Sequence, residues 1–168
     1  MNNLNVILEP EVKQSFYKDR TSSFRDMISL SKVQHPTVAP KILLVDDDPI
    51  FGKIMTRVAD QNNSQMTVCS SLAEVAMLDS FDFEVAIIDY DLGNVTGYYL
   101  ASHLDKLTSR EIPVVLVSQS QRDDVDRWPT SIREFVNKKI GPYAILDAAF
   151  EAHEVKRIHD KIRRPENA

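Results

Sequence analysis

From Lys41 onward, short apolar runs alternate with segments whose apolar residues recur every three or four positions. The runs predict strands over 41–45, 66–69, 84–89, 113–117 and 133–137. The helical periodicity predicts helices over 49–61, 71–78, 97–107 and 142–163, with a weaker pattern near 120–127. Strands that are apolar at successive positions, such as Ile42-Leu43-Leu44-Val45 and Val85-Ala86-Ile87-Ile88, are buried on both faces, as in parallel sheets. Five β-α units in this order predict an α/β fold: a five-stranded, doubly wound parallel sheet with helices on both faces, whose right-handed crossovers leave few topologies.

Two of these runs end on acids. The first closes on Asp46-Asp47-Asp48-Pro49, the second on Asp89. Ligands in open α/β sheets bind beyond the carboxyl ends of the strands, so both ends converge on one place. Crowded carboxylates repel one another and call for a cation. A Mg²⁺ site holding a reactive carboxylate is the hypothesis this pattern raises. Asp48 has a different task, because Asp before Pro is an N-terminal cap signature for the helix beginning at Pro49.

Composition narrows the field. The chain has 168 residues, which suits one domain with appendages. Its net charge of −5 argues against a general nucleic-acid-binding surface. The single cysteine, Cys69, excludes an internal disulfide and a cysteine zinc cage; in a strand it reads as a small core residue. No apolar stretch reaches about 18 residues, so no membrane helix is expected. Met1 to Lys13 lack the basic and apolar regions of a signal peptide, and a cytoplasmic protein is the expectation.

Residues 1–40 form an N-terminal extension that ends in a linker with two prolines, Gln34-His35-Pro36-Thr37-Val38-Ala39-Pro40. Within it, Thr21-Ser22-Ser23 could cap a short docking helix carrying Phe24, Met27 and Ile28 on one face. At the other end, the last helix is longer than the roughly four turns that cover a sheet of this size. Ile145, Ala148, Ala152, Val155 and Ile162 recur at heptad-like spacing, with His159 in the intervening slot. That stripe makes the helix a candidate homodimer contact. Its basic end, 156–168, fits the ordinary preference for cations at a helix C-terminus.

Residues 41–155 resemble a response-regulator receiver domain, the family that takes a phosphoryl group from a histidine kinase onto an aspartate. Four marks carry the resemblance: Asp46 and Asp47 after the first strand; Asp89 after the third, with Gly97 eight residues on; Ser118 after the fourth; and Lys138 after the fifth. The resemblance implies the flavodoxin-like receiver fold with strand order 2-1-3-4-5, and Asp89 as phosphoacceptor, assisted by Ser118 and Lys138. It implies Mg²⁺ held by Asp47 and Asp89 directly, by Asp46 through water, and by the backbone carbonyl of Asp91. It makes Phe135 either a switch aromatic or simply a core one. Asp91 and Ser120 occupy the sites that tune loss of the phosphoryl group. The implied partners are a histidine kinase or phosphotransfer protein and a downstream protein target, with neither nucleic acid nor membrane involved. A receiver is not a turnover enzyme; its chemistry is limited to its own phosphorylation and dephosphorylation.

The chain departs from the family pattern at three places. Gly93 stands where a proline usually follows the phosphoacceptor, and Lys139 where a proline usually follows the lysine. The stretch after Ser118 lacks a good amphipathic helix, and Pro129 would break one. That weakness leaves open a phosphorylation-independent, receiver-like interaction module. Asp89-Tyr90-Asp91 also resembles the Asp-x-Asp of haloacid-dehalogenase-type phosphatases, but Gly93 replaces the Thr or Val of that motif, and the Asp46-Asp47 strand has no place in it. His153-Glu154-Val155-Lys156-Arg157 carries Arg where a zinc protease needs its second His.

Overall fold

A computed structural model describes residues 39–108, 111–120 and 129–163, all within one unit that begins at Ala39. The docking helix expected near 21–28 and the weaker helix near 120–127 lie outside the described residues.

The elements follow the expected alternation: β1 (Ile42–Val45), α1 (Pro49–Gln61), β2 (Met66–Cys69), α2 (Leu72–Ala76) and β3 (Val85–Asp89). Then come β4 (Asp91–Leu92), β5 (Val95–Thr96), α3 (Gly97–Leu107), β6 (Val114–Ser118), β7 (Ile132–Asn137), a 3₁₀ turn (Lys138–Ile140) and α4 (Pro142–Arg163). The five long strands pair in parallel in the order β2-β1-β3-β6-β7. Numbered without the small hairpin β4–β5, that is the 2-1-3-4-5 order expected.

Alternation along each strand divides the core into two layers. Leu43, Val45, Ala86, Ile88, Val114 and Leu116 face one side of the sheet, against Leu100, Ala101 and Leu104 of α3 and Val75 of α2. Ile42, Leu44, Val85, Ile87, Val115 and Val117 face the other, against Met55 and Val58 of α1 and Ile145, Leu146, Ala149 and Ala152 of α4. Every residue of β1 is fully buried. At about 1.5–3 kcal/mol for each large aliphatic side chain buried, the central strands β1, β3 and β6 supply much of the driving force for folding. Cys69 is buried at the end of β2, as a core residue.

Helix starts carry the chemistry their sequences announce. Asp48 caps α1, its carboxylate accepting from the backbone N–H groups of Ile50 and Phe51, with Pro49 in the first turn. Ser71 caps α2 by accepting from the Glu74 N–H, while Glu74 reaches back to the N–H of Ser70 at 2.6 Å. Helix α2 is shorter than the 71–78 expected, and Met77 beyond it is 82% exposed, so nothing packs there to extend it.

The far half of α4 is solvated. Ile145, Ala148 and Ala152 of the heptad-like stripe are buried, but Ile162 is 74% exposed. Two of its basic residues are matched on the helix itself: Lys156 pairs with Asp160 and Arg157 with Glu154. No helix among the described residues is long and apolar enough to cross a membrane.

Candidate functional site

The carboxyl ends of β1, β3, β6 and β7 bring Asp46, Asp47, Asp89, Ser118 and Lys138 to one edge of the sheet. One oxygen from each of Asp46, Asp47 and Asp89 lies within 4.8 Å of the others. Asp46 and Asp89 are buried, whereas Asp47 opens to solvent. The Nζ of Lys138 sits between the two buried acids, 2.6 Å from Asp46 Oδ2 and 2.9 Å from Asp89 Oδ2. It donates a hydrogen bond to Asp89.

The contact to Asp46 Oδ2 is a short, buried ion pair. Its companion, Oδ1, accepts from the Asp48 N–H at 3.0 Å. Burial pushes the Asp46 and Asp89 carboxyls above the usual carboxylate range, against the opposing pull of Lys138. Burial works to lower the Lys138 pKa, but the two carboxylates more than offset it and hold the ammonium above its ordinary value. Three crowded carboxylates, two of them buried and with only one ammonium between them, form a donor set that suits a hard divalent cation.

Backbone geometry fixes Asp89. The Tyr90 N–H donates to the Val117 carbonyl at 2.8 Å, and the Gly97 N–H to the Tyr90 carbonyl at 2.8 Å. A Cβ built on Gly97 would lie 1.9 Å from the Asp89 carbonyl oxygen, so only glycine lets α3 begin this close to β3. Between them lies the unexpected hairpin: β4 and β5 pair Asp91 with Thr96 and Leu92 with Val95. Its two-residue loop is Gly93-Asn94, with φ +66 at Gly93, where a proline could not sit. The Gly-Asn pair between Leu92 and Val95 was a readable hairpin signal in the sequence.

Ser118 is fully buried at the end of β6. Its hydroxyl points toward Asp91 Oδ2 at 3.5 Å and accepts from the Ser120 N–H at 3.2 Å. Ser120 itself is exposed, and the Asp91 side chain lies at the rim. Phe135 is half-buried on β7 and meets Tyr90 edge-on, with ring centroids 6.4 Å apart. Sequence reasoning missed one neighbour of the site: the Phe51 ring, whose centroid lies 4.6 Å from Lys138 Nζ. The Asp48-Pro49 helix start puts Phe51 in the first turn of α1, where side chains tilt back toward the N-terminus.

A doubly wound parallel sheet thus gathers an acidic cluster and a lysine at its carboxyl edge. The sequence profile of the response regulator receiver domain matches residues 42–150, and the chain belongs to that family. Its fold is shared by a CheY-like receiver domain protein from Methanospirillum hungatei JF-1, with TM-score 0.60, 17% identity, and coverage of 72% of this chain and 98% of that one. The response regulator TrrA of Thermotoga maritima, solved in complex with Mg²⁺-BeF, has TM-score 0.58 and 16% identity over 67% of this chain and 97% of that one. A Burkholderia pseudomallei response regulator, solved with a phosphorylated aspartic acid, calcium and citrate, has TM-score 0.54 and 17% identity over 74% of this chain and 75% of that one. Among curated protein sequences, none matches significantly.

Proposed function

We propose that this chain receives a phosphoryl group on Asp89 from a histidine kinase or phosphotransfer protein and signals through protein–protein contact. The observation that carries this reading is the clasp of Asp89 by Lys138 at 2.9 Å within the three-carboxylate cluster. An Asp89 carboxylate oxygen attacks phosphorus, the P–N bond to the donor imidazole breaks, and its electron pair stays on the imidazole nitrogen. The product is an aspartyl phosphate. Lys138 offers its ammonium to a phosphoryl oxygen, and Ser118 its hydroxyl to another. The Ser118 hydroxyl turns away from Asp91 to do so. Asp91, at the rim, and Ser120 tune access of water to the product.

The Asp46, Asp47 and Asp89 carboxylates and the Asp91 backbone carbonyl are the groups that would hold Mg²⁺. Bound there, it neutralises the approach of anion to anion. The Thermotoga maritima neighbour with Mg²⁺-BeF and the Burkholderia pseudomallei neighbour with its phosphorylated aspartic acid support the same chemistry for this site. Phe135, next to Tyr90, is the aromatic whose position reports occupancy of the site. Output passes to a partner protein through the N-terminal extension, through a homodimer on α4, or both, in the cytoplasm where such kinases present their phosphohistidine.

The test is incubation of the full chain with acetyl phosphate and Mg²⁺, read by intact mass. Wild type gains one phosphoryl group and Asp89→Asn gains none. Equal labelling of the two overturns the assignment of Asp89. No labelling of wild type, with no binding of Mg²⁺-beryllofluoride, makes the chain an interaction module instead.

A further inference from the structure

Lys138 has three walls, and only two are acids. The third is the face of Phe51, 4.6 Å from Nζ to the ring centroid, while the Lys138 side chain is 9% exposed. A ring face carries negative quadrupolar charge and attracts a cation within about 6 Å. An ammonium has three N–H donors; Asp46 and Asp89 draw it from two directions, and the ring limits where it can swing. The Phe51 backbone is anchored at the helix start, where its N–H donates to the capping carboxylate of Asp48 at 3.3 Å. The cap thus places residue 51 on the first turn of α1, beside the lysine.

We propose that Phe51 is a positioning residue for phosphoryl transfer, acting through a cation–π contact that holds the Lys138 ammonium against Asp89. The role rests on the reading of Asp89 as phosphoacceptor. An aliphatic side chain of similar bulk would still cover Lys138 but would not attract it. Tyrosine keeps the ring face, and at this half-exposed position its hydroxyl can reach water.

Two measurements on the full chain test this. The first is the rate constant of labelling by acetyl phosphate at saturating Mg²⁺. Phe51→Leu lowers it about fivefold, the size expected of a partly desolvated cation–π contact, and Phe51→Tyr stays within about twofold of wild type. The second is a double-mutant cycle on urea unfolding with Phe51→Leu and Lys138→Met, without any donor. The two substitutions are coupled by a factor of about five in the folding equilibrium constant. Equal slowing by Leu and Tyr means that ring size alone matters and overturns the proposal. So does an unchanged rate in Phe51→Leu, or a cycle in which the two effects simply multiply. If wild type takes up no phosphoryl group, the reading of Asp89 fails and the positioning role with it, while the unfolding cycle still decides the contact between ring and ammonium.

Discussion

Gly97→Ala joins fold and site in one measurement. The added Cβ would lie 1.9 Å from the Asp89 carbonyl oxygen, 2.8 Å from its carbonyl carbon and 2.9 Å from Ile88 Cγ2. Ordinary C···O contacts begin near 3.3 Å, so about 1.4 Å of displacement must be absorbed. Neither partner is a flexible side-chain end: one is the backbone of β3 in the centre of the sheet, the other the first residue of α3. Separating them strains the Gly97 N–H bond to Tyr90, a loss of about 1 kcal/mol on top of an overpacking cost of about 1–3 kcal/mol. A total near 3 kcal/mol is a large part of a typical stability of about 5–15 kcal/mol. With a urea slope of about 2 kcal/mol/M, the unfolding midpoint falls by about 1.5 M, read by far-ultraviolet circular dichroism. Gly93→Ala is the control. Its φ of +66 is unfavourable for alanine, but a Cβ there meets nothing within 4 Å, so the midpoint falls by only about 0.5 M, from roughly 1 kcal/mol of backbone strain. A Gly97→Ala midpoint no lower than that of Gly93→Ala would refute the close approach of α3 to Asp89.

Two further outcomes follow from the electrostatics of the site. The folded-state pKa values of Asp46 and Asp89 are raised by burial, so between the ordinary carboxylate range and those raised values the folded protein binds more protons than the unfolded chain. Their contribution to stability in metal-free buffer therefore declines as pH rises through that window; Asp89→Asn raises the unfolding free energy at pH 7 by on the order of 1 kcal/mol and flattens its dependence on pH, and a pH dependence unchanged by the substitution refutes this. Adding Mg²⁺ at a hundredfold excess over its Kd stabilises wild type by about 2.7 kcal/mol, seen as a higher thermal midpoint, and stabilises Asp47→Asn much less; equal gains would remove Asp47 from the metal-holding set.

The pattern of apolar runs made the sheet legible because β1, β3 and β6 are buried on both faces and contain almost nothing else. The convergence of Asp46, Asp47, Asp89, Ser118 and Lys138 was legible for a related reason, since each stands where such a run stops. What escaped was set by contacts too short or too local for periodicity to register. The β4–β5 pairing is two residues long on each side. Strand β7 begins one residue earlier than its apolar pattern implies, and its register against β6 shifts between Val114 and Val115. The Phe51 ring lies beside Lys138 Nζ, a relation between residues 87 positions apart that no local pattern encodes.

The charge balance of the site connects the capping geometry to the chemistry. Asp46, Asp47 and Asp89 against Lys138 leave two negative charges, which is the deficit a divalent cation neutralises. Lys138 cannot fill that deficit, because one ammonium is already divided between two carboxylates. A phosphoryl group on Asp89 would change what the lysine faces, trading a carboxylate oxygen for a phosphoryl oxygen. The lysine stays charged through that exchange because its remaining surroundings, Asp46 and the face of Phe51, both favour a cation. In the proposed reaction the acids thus act as a reservoir of negative charge that invites the metal, while Asp48, Phe51 and Gly97 hold the acceptor and its lysine in register.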